Sequence, residues 1–277
     1  MISSVQMASK SKWALIISAA ILIVFFLVSI LAPWIAPHDP IQVNLAIKLS
    51  SPSWEYPLGT DHLGRCNLSR LLYGARVSLG FASLIFAASL GFGLLVGMIA
   101  GFKGGWIDLL LMRFCDGVMA FPNLVLVLGI VGLLGPGLWQ VVIALMMVQW
   151  VYYARMIRGM VVSMKEQNFI AAARISGSST GKIIRRHLLP NVLPPIMVMG
   201  TLEMGWAIMD ISALSFLGLG IQPPTPEWGA MIQEGKAFIR SQPELMIYPG
   251  LMILFVVISF NVLGESLSER FGIKRRY

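Results

Sequence analysis

Glu203 and Asp210 are the only charged residues of a long apolar run, Leu193 to Leu219. Seven residues is two helical turns, so both carboxylates fall on one helix face. Met199 and Trp206 lie on the same stripe, four residues before and three after Glu203. An ionised side chain at mid-bilayer costs ~2.5–3.5 kcal/mol, so such residues face a cavity or a partner. Two carboxylates, a thioether and an indole suit a hydrated path for a cation or an amine, with Glu203 as a candidate metal ligand. Without water, both acids would protonate instead. The alternative is structural: a hydrogen bond from either acid to a neighbouring helix. Seventeen methionines suggest soft-metal chemistry, but methionine is also an ordinary gap-filler in helical cores. His38, His62 and His187 lie in loops or at helix ends, and no Ser–His or HExxH arrangement accompanies them. Cys66 and Cys115 are isolated, so no disulfide framework or metal knuckle follows.

A second cluster sits at residues 155–192, a stretch rich in basic side chains. Asn168 is placed to cap a short helix over Phe169 to Ser176, and Gly177 to end it. Ser179 or Thr180 then caps a second helix through His187, which Pro190 halts. Phe169 and Ile170 are bulky apolar groups, whereas Ala172, Ala173 and Ser176 are small enough for close backbone approach. Such a helix–turn–helix offers a knob to a partner's groove. The alternative is an amphipathic segment whose seven basic residues rest on anionic membrane lipid.

The elements carrying these clusters follow from composition. Of 277 residues, 57% are apolar and 12% charged. That is about half the usual charge of a soluble domain, too little to wet a globule of this size. A nucleic-acid-binding domain, a soluble enzyme and a disordered chain are thereby excluded, and no nucleic-acid partner is expected. A bilayer-crossing helix needs roughly 20 apolar residues. Runs meeting this are Trp13 to Ala36, Val77 to Phe102, a span from near Leu109 to the Gly135-Pro136-Gly137 break, one from there to Ala154, Leu193 to Leu219, and Leu245 to Gly264. The expected fold is an all-α polytopic membrane protein with six transmembrane helices. With both termini inside, inner segments hold fifteen Lys and Arg and outer segments six, so the orientation is N-in, C-in. Residues 1–12 are then a cytoplasmic tail and 13–277 the transmembrane domain. The long connections are an outer loop, 37–76, and the inner loop, 155–192. Asp116 is expected to pair with Arg113 at i, i+3.

Four segments carry a family resemblance, in order along the whole chain. "FIAAARISGSSTGKIIRRHLLPN" resembles the EAA loop of ABC-importer permeases, with Ala172, Ala173, Gly177, Leu189 and Pro190 on the motif positions. Ala171 replaces the usual glutamate, and His187 an apolar residue. "LGTDHLGRCNLSRLLYGARVSL", "MRFCDGVMAFPNLVL" and "SFLGLGIQPPTPEWGAMI" resemble the dipeptide, oligopeptide and nickel permeases, with Cys66 where an acid is usual. The chain is therefore similar to the C-type permease subunits of that group, which implies the type I (MetI-like) architecture in a bacterial inner membrane.

The resemblance implies partners: a homologous permease, two ATP-binding subunits and an extracytoplasmic substrate-binding protein. It also implies that residues 169–176 dock on the ATP-binding subunit. The chain has no GxxxxGK[ST] P-loop, so no cofactor is expected here and ATP would be handled by those partners. Glu203 followed by Gly205, and "YYARMIRGMVVS", resemble the nickel members more than the dipeptide ones; a peptide importer is the alternative cargo reading. A gradient-driven secondary transporter, with Glu203 and Asp210 as a relay, is the rival class.

Overall fold

The computed structural model describes the backbone of residues 2–272 and the side chains of residues 12–272. The Lys10 side chain and Lys274, Arg275 and Arg276, used above for orientation, lie outside the described residues.

The main regular elements of the described residues are all helices: α1 (Ile2–Ile35), α2 (Asn67–Lys103), α3 (Gly105–Met119), α4 (Asn123–Leu134), α5 (Leu138–Lys165), α6 (Asn168–Ile175), α7 (Thr180–Ile183), α8 (Leu189–Phe216), α9 (Trp228–Gly235) and α10 (Glu244–Arg270). Five helices are long and apolar enough to cross a membrane, with α7 and α8 counted as one. The sixth expected span is not a straight helix. It is the pair α3 and α4, bent by 85°. Pro122 explains the break: it has no N–H for the preceding turn, and its ring disfavours helical geometry at Phe121. Pro122 instead precedes α4 in an extended conformation, with its carbonyl accepting from Val125 N at 3.0 Å.

Three boundaries differ from the sequence expectation, each because local chemistry carries the helix through a supposed stop. Helix α2 begins at Asn67, not Val77, so the outer loop closes at residue 66. Its 37 residues extend about 55 Å, well beyond the hydrocarbon. The outer turns bear Arg70, which is buried but paired with carboxylates, and Arg76, which is exposed, so neither charge meets hydrocarbon unpaired. At the inner side α5 continues to Lys165 rather than Ala154. Pro190 does not halt the helix begun at Thr180. Residues 184–188 form a π turn, in which Leu189 N bonds to Ile184 O, and α8 follows directly. A wider π turn is where a helix tolerates the donor that proline lacks.

The centre of the bundle is the contact of α2 with α5. Gly93, Gly97 and Gly101 recur every fourth residue on α2, and a Cβ at these positions would come within 2.5–2.8 Å of atoms of Tyr153, Ala154 and Val161 on α5. Small residues at this spacing let two membrane helices approach backbone to backbone. Two ion pairs tie α3 to the same helix: Asp108 binds Arg158 at 2.5 and 2.9 Å, and Asp116 binds Arg155 at 2.7 Å. Asp116 is thus not paired with Arg113, because the neighbouring α5 brings a guanidinium closer than its own helix does.

Candidate functional site

Glu203 and Asp210 converge as their spacing predicts. With Trp206 they line one cavity of about 640 Å3. Met199, expected on the same stripe, is half-buried and does not line it. The opposite wall comes from other elements: Gln149 and Tyr152 on α5, Phe121 in the α3–α4 break, and Asn123 at the start of α4. Gln149 Nε2 donates to Asp210 Oδ2 at 3.1 Å. Glu203 has no hydrogen-bond or ion-pair partner among the described residues. None of the lining residues is basic. The cavity opens to the outside of the chain, since Trp206 is 58% and Phe121 57% exposed. Chemically it is an acidic, aromatic-walled cavity with one carboxylate hydrogen-bonded and one without a partner among the described residues. Among the described residues there is no group of three or more His, Cys, Asp or Glu side chains able to hold a metal ion. Glu203 could serve as a metal ligand only together with donors from elsewhere.

The sequence did not identify Gln149, Tyr152, Phe121 or Asn123. Gln149 gave one signal, as an amide in a long uncharged stretch. The Pro122 break, which swings Phe121 and Asn123 into the wall, is a tertiary event.

On the inner side the short helix forms as α6, starting one residue early. Gln167 precedes it, and its carbonyl accepts from Ile170 N at 3.0 Å and Ala171 N at 3.3 Å. Asn168 is therefore the first helical residue and not the cap. Gly177 ends the helix as expected. Its φ of +76° is left-handed, and the paired bonds Ser178 N to Ala173 O and Gly177 N to Arg174 O, both 3.0 Å, close the last turn as a Schellman motif. Ser176 Oγ donates back to Ala172 O at 2.9 Å.

The two bulky groups of α6 take different roles. Ile170 is fully buried with Ala173 against Met98, Ile157, Val161, Ile183 and Leu188, at the inner ends of α2, α5 and the helix begun at Thr180. Phe169 stays 42% exposed, and Ile175, which sequence reasoning passed over, is 89% exposed. Ala172 and Ser176 lie on the outer face too. Leu189 is half-buried and Pro190 exposed at the start of α8. Helix α6 thus has a root in the bundle, through Ile170 and Ala173, and an apolar free face, through Phe169 and Ile175. Arg174 adds a cation–π contact over Phe102, 5.9 Å from the ring centroid, at the inner end of α2.

At the outer end a third set of charges is consumed internally. Arg65 Nε binds Asp61 Oδ2 at 2.6 Å, and Arg65 and Arg70 bind Glu234 Oε2 at 3.0 and 2.5 Å. Asp61 also accepts from the backbone N–H groups of Leu63 and Arg65, each at 2.9 Å, and so caps the turn. Glu227, in the PTPEWG run, is fully buried. It accepts from Ser78, Ser212, Gly229 N and Ala230 N at 2.9–3.2 Å. Trp228 is buried beside it, donating to Leu71 O at 3.1 Å. These contacts fasten α9 to α2 and α8.

Comparison with known proteins follows the same lines. Residues 93–276 match the family model described as "Binding-protein-dependent transport system inner membrane component". The chain belongs to this permease family. Residues 9–52 of the permease also match the "N-terminal TM domain of oligopeptide transport permease C". It is 40% identical over 267 residues to the "Dipeptide transport system permease protein DppC" of Alkalihalophilus pseudofirmus, covering 96% of this chain and 88% of that one. It is 38% identical over 260 residues to the "Nickel transport system permease protein NikC" of Escherichia coli, covering 94% of each. Among solved structures, the MetNI methionine ABC transporter in an inward-facing conformation shares the fold. Its TM-score is 0.60 at 18% identity, over 75% of this chain and 98% of that one. The permease is thus a multi-pass inner-membrane subunit of an ABC importer. This membership removes the gradient-driven secondary transporter. In such permease systems ATP hydrolysis lies in separate subunits. Relatives carry both nickel and dipeptide names, so the sequence lean toward nickel has no advantage from them.

Proposed function

We propose that this permease forms one half of a translocation path for a small cationic cargo, with a homologous permease closing the other half. The carrying observation is the cavity at Glu203 and Asp210, which has two carboxylates, no basic lining residue and an open side. A cation crossing the membrane midpoint loses hydration, and a fixed carboxylate offsets part of that cost. Nickel carried as a chelate fits this reading better than a bare ion. The chelator supplies the donors that the chain does not gather, and the aromatic wall meets its organic surface. The second reading is a dipeptide whose protonated amine pairs with Glu203. It is favoured by the same aromatic groups, Trp206 and Tyr152, and by a volume of about 640 Å3.

Energy enters from the inner side. Two ATP-binding subunits close on the free face of α6, at Phe169 and Ile175. The buried root at Ile170 and Ala173 carries the motion to α2, α5 and α8, tipping the helix pair between inward-open and outward-open. A substrate-binding protein delivers cargo from outside. Cargo drives the cycle only through its difference in affinity between the two states. No cofactor resides in this chain; ATP and its magnesium belong to the partners.

Two experiments test the reading. Co-purification of ATP-binding subunits with Gly177→Pro or Ala173→Arg is expected to fail while membrane insertion persists, and normal association rejects the coupling role. Uptake of labelled nickel, with and without an added chelator, and of a labelled dipeptide is measured with Glu203→Gln. Loss of one cargo's uptake with assembly intact identifies it; unchanged uptake of both returns Glu203 to a structural role.

A further inference from the structure

Arg76 differs from the other arginines of its helix end. Arg65 and Arg70 are buried and committed to Asp61 and Glu234. Arg76, two turns or less further along α2, is exposed, with no carboxylate or hydrogen-bond partner among the described residues. It is also the last charge before the uncharged run 77–102, which places it at the outer boundary of the hydrocarbon. The orientation agrees, since this end of α2 follows the outer loop.

Beside it lies a groove of about 480 Å3 between α1 and α2, lined by Phe26, Ser29, Ile30, Trp34, Arg76 and Gly80. Its parts are graded along the membrane normal. Gly80, one turn inward from Arg76, leaves the floor open: nothing lies within 4 Å of where its Cβ would be. Phe26 and Ile30, one turn apart on α1, give an apolar wall at the depth of acyl chains. Trp34, one turn further out and 76% exposed, is an indole at the interface, where such rings anchor among headgroups. The hydroxyl of Ser29 spends its hydrogen on Phe26 O at 2.8 Å. The groove's free donors are therefore the guanidinium and the indole N–H. A donor-rich head above an apolar slot calls for an acceptor with a hydrocarbon tail. A guanidinium matches phosphate oxygens in a bidentate fork.

We propose that this groove holds one phospholipid of the outer leaflet, its phosphodiester on Arg76 and Trp34 and an acyl chain between Phe26, Ile30 and Gly80. The site is remote from the cavity and from α6, and its occupant ties α1 to α2. The local positive charge favours an anionic headgroup over a zwitterionic one.

Native mass spectrometry of the detergent-extracted importer, loaded with phosphatidylglycerol, phosphatidylcholine or inorganic phosphate, tests the proposal. Wild type is expected to retain phosphatidylglycerol over phosphatidylcholine. Arg76→Gln removes that preference at least fivefold, and Arg76→Lys keeps part of it. Gly80→Leu fills the slot and lowers retention of both lipids with the charge intact. If Arg76→Gln fails to assemble, Arg76→Lys and Gly80→Leu carry the comparison. Equal phosphatidylglycerol retention by wild type and Gly80→Leu overturns the proposal. So does displacement of lipid by inorganic phosphate, which marks a soluble-anion site. Efficient crosslinking of Gly80→Cys to the sister permease also overturns it, because the groove is then a subunit contact.

Discussion

Glu227 and Glu203 are both carboxylates set among apolar helices, and the chain treats them in opposite ways. Every oxygen of Glu227 is spoken for, by two serine hydroxyls and two backbone N–H groups. Asp61 and Glu234 are likewise held by two arginines. Glu203 has no such partner, and Asp210 has one neutral amide. A carboxylate with its lone pairs filled is fixed in place and offers nothing to a ligand. One left open beside a cavity is costly to the fold and available to a passing cation. The outer acids are thus fasteners, and the acids beside the cavity are the ones the proposed path would use.

That contrast is open to direct attack. The largest effect is expected from Arg65→Met, which leaves Asp61 and Glu234 short of a buried partner. Breaking one member of such a network costs roughly 3–5 kcal/mol, and thermal unfolding of the purified chain is expected to fall accordingly. A variant as stable as wild type would show that the outer cluster is not a fastener. Glu227→Ala follows closely, removing a helix cap and stranding the Gly229 and Ala230 N–H groups, while the Ser78 and Ser212 hydroxyls are free to rotate. Each stranded buried donor costs about 1–3 kcal/mol, so poor membrane accumulation is expected, measured against an unaltered control by immunoblot.

Glu203→Gln reverses the pattern. Its melting temperature is expected to stay within a few degrees of wild type or to rise, while uptake falls about tenfold or more. Matching losses of stability and uptake would erase the distinction between the two sets of acids. Asp210→Asn is expected to do less to uptake, since Gln149 still finds an acceptor on the new amide. The smallest effect belongs to Asp116→Asn, whose pair with Arg155 is half-exposed. Such pairs contribute about 0–1 kcal/mol, and a double-mutant cycle with Arg155→Gln would measure the remainder.

Legibility from sequence followed the range of the interaction. The Gly177 cap, the face shared by Glu203, Trp206 and Asp210, and the apolar spans are written within a few residues of one another. The 85° bend was not, although Pro122 was visible. A proline permits a break, but neighbouring helices decide whether the chain bends there or kinks slightly and continues. The π turn before Pro190 is a similar case. The every-fourth-residue pattern Gly93, Gly97, Gly101 was legible and went unread, because a close approach needs its partner face on α5 to be known.

Composition and periodicity alone settled that this chain lives in a membrane, and they carry the expectation of its orientation and of the face shared by Glu203 and Asp210. These depend on transfer free energies and on helix geometry, both local properties of the chain. Which acids are satisfied and which stay open was decided only on folding. Glu234 meets Arg65 across 169 residues and Gln149 meets Asp210 across 61. Contacts over such separations are fixed by how the helices pack against one another.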